Sequence, residues 1–194
     1  NICPNSSCDG GGMFASGGGN YILNNVGVYD NHADDRGGGI RLRGSETIAT
    51  LTKVSIYHND CAFGGGMSID NGADVTLDKV TISKNTTSQG GGIIVDNSQP
   101  TIINSIIWGN TGSYSAIQTL NGGSPAISYS DIQNGWSGTG NINANPLFVS
   151  ANNGDFNLQV GSPCINAGDP NSPLDPDGSI ADIGALYYHC DEGF

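Results

Sequence analysis

Side chains able to do chemistry are few in this chain of 194 residues, which carries 6 Lys and Arg, 18 Asp and Glu and 3 His. The densest group lies near the C-terminus. There Asp175-Pro-Asp177-Gly178 sets two carboxylates two residues apart on a turn, and Asp182 follows five residues beyond Asp177. Hard oxygen ligands at that spacing suit Ca²⁺, although the third alternating ligand and the terminal Glu of an EF-hand are missing. Asx-turn hydrogen bonding is the competing use of the same residues. Calcium is the one cofactor expected, with Asp175, Asp177 and Asp182 as its ligands. A glycosidase would need two carboxylates facing each other across a groove; Asp70, Asp74, Asp78 and Asp96 are available, with no distinctive pair among them. The five cysteines match no Cys/His zinc spacing. Cys3, Cys8, Cys164 and Cys190 are expected as disulfide partners in an oxidising compartment, and the odd count leaves one thiol free or bridging between chains.

The elements that must position these residues are strands. Charged residues make up only 12% of the chain, and Gly reaches 31 residues; Gly, Asn, Ser and Thr at the expense of Lys and Glu disfavour helices and favour short strands joined by turns. A net charge of −12 repels phosphate backbones and anionic lipid, so neither nucleic acid nor a membrane is an expected partner. No apolar run approaches the length of a membrane span. Beginning at Asn1 without a leader, the chain reads as a processed product or an excised fragment.

Two landmarks repeat. Gly-Gly-Gly followed by an apolar residue occurs at Gly10, Gly37, Gly64 and Gly90, and an apolar residue followed three positions later by Asn occurs at Asn31, Asn59, Asn85 and Asn110. Both recur every 25–28 residues, with alternating apolar positions between them such as Val75-Thr-Leu77. The period predicts an all-β chain: a right-handed parallel β-helix with three sheets and about six coils, in which equivalent residues of stacked coils form columns. Leu23, Leu51 and Leu77 make one apolar column and Val26, Val54 and Val80 another, while Asn31, Asn59, Asn85 and Asn110 form an interior amide ladder. Residues 1–9 form an N-terminal cysteine-containing segment and 10–160 the coils, the sixth running through Pro146–Val149 and Phe156–Leu158. Residues 161–194 form a segment expected to cap the last coil. No amphipathic helix of the kind that shields a first coil is expected from residues 1–9.

The same period arranges the remaining candidates. Arg41 and Arg43 alternate with Ile40 and Leu42 and are expected to point outward, and Lys53 and Lys79 stack on successive coils; a solvated face is the reading for all of them. His58 shares a column with Asp30 and His32 with Asp60, giving two His/Asp pairs. Tyr29, Tyr57 and Trp108 form an outward aromatic column, suited either to sugar faces or to packing against another subunit or loop.

The glycine-triplet and apolar-x-x-Asn landmarks are similar to the GGA[ILV] and FxxN repeats of chlamydial polymorphic outer-membrane proteins. The whole pattern resembles the parallel β-helix repeat proteins of the pectate-lyase-like superfamily. The tail, from Asn145-Pro-Leu-Phe148 through Gly161-Ser-Pro-Cys164 to Asp175-Pro-Asp-Gly178 and Asp182-Ile-Gly-Ala185, resembles the ends of secreted bacterial β-helix proteins. The resemblance implies an extracellular or cell-surface location. An enzyme of this superfamily cleaves acidic polysaccharide, with Arg or Lys as base and a cation neutralising the substrate; a surface of charge −12 opposes that substrate. A non-catalytic surface or extracellular-matrix protein is expected, self-assembling head-to-tail into filaments or contacting surface glycans. An extracellular carbohydrate-active enzyme or an adhesin module is the alternative.

Overall fold

The computed structural model describes residues 9–114 and 116–189. Alternating apolar residues form five stacked coils. The first comprises β1 (Met13–Ser16), β2 (Gly19–Asn24) and β3 (Gly27–Tyr29); the second comprises β4 (Ile40–Arg43), β5 (Thr47–Thr52) and β6 (Ser55–Tyr57), followed by β7 (Asp60–Phe63). The third has β8 (Met67–Asp70), β9 (Asp74–Asp78) and β10 (Thr81–Ser83), followed by β11 (Thr86–Gln89). The fourth has β12 (Ile93–Asp96), β13 (Thr101–Ile103) and β14 (Ile106–Trp108), and the fifth β15 (Ile117–Leu120), β16 (Ala126–Ser128) and β17 (Asp131–Ile132). Each coil lends one strand to each of three parallel five-stranded sheets, ordered β1-β4-β8-β12-β15, β2-β5-β9-β13-β16 and β3-β6-β10-β14-β17. β7 and β11 form a small parallel pair outside them.

Register follows the repeat. Leu23, Leu51, Leu77, Ile102 and Ile127 are successive partners in the second sheet, and Val28, Ile56, Ile82, Ile107 and Ile132 in the third. Because side chains alternate between faces, one inward set per strand fills the interior, and the coil-to-coil spacing stacks it. A residue with left-handed backbone turns the chain between second and third sheets in every coil: Asn25, Lys53, Lys79, Asn104 and Tyr129, with φ between 46° and 57°. The third glycine of a triplet answers a different need. A Cβ on Gly66 would lie 2.7 Å from Ile82 Cγ2 and 3.0 Å from Asn85 Nδ2, so the chain can pass the ladder there only without a side chain.

The expected sixth coil is not formed. β18 (Phe148–Ser150) and β19 (Asp155–Leu158) pair antiparallel across a one-turn 3₁₀ helix, Ala151–Asn153. Only four residues, 151–154, join the two strands, too few to circle the rod, so the segment doubles back as a hairpin. The tail also departs from its expected place over the last coil. It returns along the outer side of the third sheet: Ala185 N–H donates to Thr81 Oγ1, Asp169 N–H to Asn104 Oδ1, and Lys79 Nζ to Asp175. Ile106, Leu158, Cys164 and Ile183 form a second apolar core beneath it. Trp136 instead packs against the main core at the fifth coil, where Ile142 bridges to Asp131.

Candidate functional site

The Asn ladder runs as the spacing predicts. Each Asn side-chain oxygen accepts both the backbone N–H and the side-chain Nδ2–H of the Asn one coil before it: Asn59 from Asn31, Asn85 from Asn59, and Asn110 from Asn85, at 2.9–3.1 Å. Each Nδ2 of Asn59, Asn85 and Asn110 also donates to a carbonyl of the coil before it. The amides saturate an otherwise orphaned corner of backbone. Asn59, Asn85 and Asn110 are structural, their side-chain oxygens and nitrogens all engaged in the ladder.

The strongest concentration of charge is one that the spacing did not expose. Arg41 is not on a solvated face: it is 6% exposed, and its Nε donates to Asp70 Oδ2 at 2.7 Å while its terminal nitrogen pairs with Asp9. Arg36, in the connection before the second glycine triplet, reaches Asp70 Oδ1 at 3.3 Å and Asp96 Oδ2 at 2.8 Å. Ser68 Oγ donates to Asp70 and Asn121 Nδ2 to Asp96. Burial works against the Asp96 charge, but Asn121 and Arg36 outweigh it and hold the carboxyl below its usual range. That stability is present above the unfolded carboxylate pKa and is lost as pH falls through the lower folded value. A signal existed in the repeat: Arg43, Asp70 and Asp96 are successive partners in the first sheet, so two carboxylates stack and call for a cation. Arg36 keeps the register, bridging Phe63 just before the next glycine triplet, but its side chain reaches carboxylates on two later coils, which the period does not show.

Of the other basic residues, Lys79 is drawn from solvent by Asp175, at 2.6 Å, whereas Lys53 on the preceding coil stays exposed. Both His/Asp pairs form in outline. His32 Nδ1 lies 2.5 Å from Asp60 Oδ2 and Nε2 3.4 Å from Asp34, whereas His58 Nδ1 is 3.9 Å from Asp30. The hydrogen bond to Asp60 raises the His32 pKa, but the side chain is 64% exposed, so solvent screens the pair. Tyr29 and Tyr57 stack with ring centroids 4.8 Å apart, and Phe156 and Gly154 of the tail hairpin close over Tyr57. Trp108 packs into the second core, so only Tyr29 keeps an open face, at 51% exposure.

The three aspartates expected to bind calcium are dispersed among protein partners. Asp175 accepts from Lys79 and from the Asp182 N–H; Asp182 accepts from the Asn166 and Tyr188 N–H groups; Asp177 caps its own turn by accepting from Ser179. Asp175 and Asp182 are thus neighbours, and Asp177 stands apart on the exposed turn. Among the described residues, no three His, Cys, Asp or Glu side chains converge in metal-binding geometry.

Cys164, expected in a disulfide, is a buried free thiol whose Sγ donates to Asp131 Oδ2 at 3.4 Å, and Cys61 is likewise free and buried. The tail core has closed around Cys164, so its partner there is a carboxyl. Cys3, Cys8 and Cys190 lie outside the described residues. Asp131 is fully buried where the fifth coil meets Ile142, Ala144 and the tail; burial lifts its carboxyl to about 6, opposed by the hydrogen bonds from the Ala144 N–H and Cys164. The neutral acid is favoured in the fold, so this group costs stability as pH rises from about 4 through 6. Asp131→Asn keeps an acceptor for Ala144 and carries no charge. The variant is expected to be more stable than the parent by about 3 kcal/mol above pH 7 and equal to it below pH 4. Urea midpoints at pH 4, 6 and 8 test this; an unchanged difference across the three would disprove it.

Compared with known families, residues 3–166 match the profile described as right handed beta helix region. Neither the curated proteins nor the solved structures searched contain a match.

Proposed function

The chain belongs to the right-handed beta helix family, and from that premise we infer that it is a non-catalytic bacterial surface or extracellular-matrix protein that acts by self-association. The carrying observation is the disposition of its charges. Lyase chemistry needs an unencumbered Arg or Lys beside a groove; three of the six basic residues, Arg36, Arg41 and Lys79, are locked onto carboxylates of the same chain, while Arg43 and Lys53 stand exposed. The carboxylates Asp70 and Asp96, which a hydrolase would recruit, are spent in the same network. The rod itself offers a surface for association: among the described residues, the first strands β1, β2 and β3 of the three sheets each stand at the end of their strand order. Such edges add further strands, and head-to-tail addition would give a filament. An extracellular setting accords with the resemblance of the tail to secreted β-helix proteins. Glycan contact is the second reading, favoured by the open ring of Tyr29 stacked on Tyr57.

Negative-stain electron microscopy of the purified chain, paired with a polysaccharide-cleavage and glycan-binding screen, tests the proposal. Particles longer than one rod with no cleavage are expected. Uniform single rods, or turnover of any polysaccharide, would refute it.

A further inference from the structure

Lysine differs from arginine in one respect that matters for this chain. Its amine can be acylated once it loses a proton, whereas a guanidinium keeps its proton in a protein. Arg36 and Arg41 are therefore held to their carboxylates by charge and hydrogen bonds alone. Lys79 is, among the described residues, the one lysine in an ion pair, with Nζ 2.6 Å from Asp175 Oδ1. Its side chain is 12% exposed and that of Asp175 3%. Asp175 is the one acceptor that the described residues give Nζ, so a largely buried ammonium rests on a single partner.

Both groups are fixed from several sides. Lys79 stands at the corner between second and third sheets with φ 53°, where the first and fourth coils use Asn. Left-handed backbone is unusual for a lysine and persists where the surroundings enforce it. Asp175 sits in a tight turn: its N–H donates to the Ser179 carbonyl, and its own carbonyl accepts from the Gly178 N–H. Its Oδ2 accepts the Asp182 N–H at 2.7 Å. The tail around it is pinned on the same corner column, by the Asp169 N–H on Asn104 Oδ1 and the Gly184 N–H on the Asn104 carbonyl. A Cβ on Gly184 would lie 2.8 Å from Ile106 Cδ1, so the tail lies directly on the third sheet there.

These are the components of an acyl transfer. One proton passing along the 2.6 Å contact turns ammonium and carboxylate into amine and acid. The Nζ lone pair then bonds to Asp175 Cγ, and negative charge develops on Oδ2, at which the Asp182 N–H already points. One Nζ proton moves to the Oδ1 hydroxyl, which leaves as water while the carbonyl reforms at Oδ2. No oxidant or cofactor enters, and the product is a secondary amide. Burial favours that product, because two charges disappear from a site that desolvates both. Burial also pushes the Asp182 carboxyl up, which lessens the negative charge beside the developing oxyanion. Fixed geometry supplies the rest: effective molarities of well-placed pairs reach about 10⁵–10⁸ M, far above the concentration of bulk water. A cavity of about 410 Å³ beside the pair, also lined by Lys53 and Tyr187, gives the released water an exit.

We propose that Lys79 and Asp175 condense without assistance into an amide, a covalent strap that ties the tail to the third coil. The strap closes a loop of residues 79–175 and makes docking of the tail irreversible, whether or not the rods associate.

The test is the intact mass of the reduced 194-residue chain after incubation at pH 7, followed by tryptic mapping. The parent should be lighter than its sequence mass by one water. Trypsin should cut after Lys53 and Lys84 but not after Lys79, and residues 54–84 and 85–194 should emerge as one branched product. Lys79→Arg keeps the positive charge but offers no amine to acylate, so it should show the full sequence mass and separate fragments. The parent's map is read without any substitution, so a folding defect in Lys79→Arg cannot mask the outcome. A parent at full sequence mass and cleaved after Lys79 would overturn the proposal. So would a water loss that maps to Asp177-Gly178 as a cyclic imide, or one that persists unchanged in Lys79→Arg.

Discussion

Replacing Asn85 with Ala is expected to lower the free energy of unfolding by about 4 kcal/mol, a large share of the stability of an ordinary domain. Asn85 is fully buried, and its oxygen is the acceptor for both the N–H and the Nδ2–H of Asn59. Its own Nδ2 supplies Asn110 Oδ1 and the Ile56 and Ser83 carbonyls. Alanine strands the buried N–H of Asn59, at about 1–3 kcal/mol, takes one of three acceptors from Asn59 Nδ2, removes a donor from the Ile56 carbonyl and leaves a cavity in the interior. The same substitution at Asn31 serves as the internal comparison. Asn31 is only partly buried at the first coil, so Asn31→Ala should cost about 1 kcal/mol. Denaturant unfolding of both variants decides the matter; equal losses would show that the ladder is not a cumulative chain of buried bonds.

The second large effect belongs to the first sheet. Arg41→Met is expected to destabilise by about 3 kcal/mol, because Asp70, 1% exposed, keeps its charge but loses its 2.7 Å partner. Arg36 at 3.3 Å offsets part of that loss. Adding Asp70→Leu to Arg41→Met should recover most of it, since removing both members of a buried pair is far milder than orphaning one. A double-mutant cycle measures the coupling directly. If the double variant were as unstable as the sum of the singles, the contact would be incidental. The network also responds to pH with a sign opposite to that of Asp131. Acidification removes the stabilising charge of Asp96, whereas it relieves the penalty of ionising Asp131.

Much of the fold was written in local spacing. A 25–28 residue period in Gly triplets and in Asn31, Asn59, Asn85 and Asn110 determined the coil, the columns and the amide ladder, because stacked coils turn a sequence repeat into a spatial one. The same logic placed Tyr29 on Tyr57 and His32 beside Asp60. Wherever the chain left the period, the one-dimensional signal ended. Residues 146–158 carry strand-like composition yet pair antiparallel, since hairpin or coil is decided by connection length and by what lies alongside. The tail's course along the third sheet, the capture of Lys79 by Asp175, and the meeting of Cys164 with Asp131 join residues 33 to 104 positions apart. Arg41 alternates with its neighbours as an outward residue should, and only the arrival of Asp70 from the next coil and of Asp9 turned an exposed cation into a buried one. Alternation tells which face a side chain takes; what covers that face is a property of the whole chain.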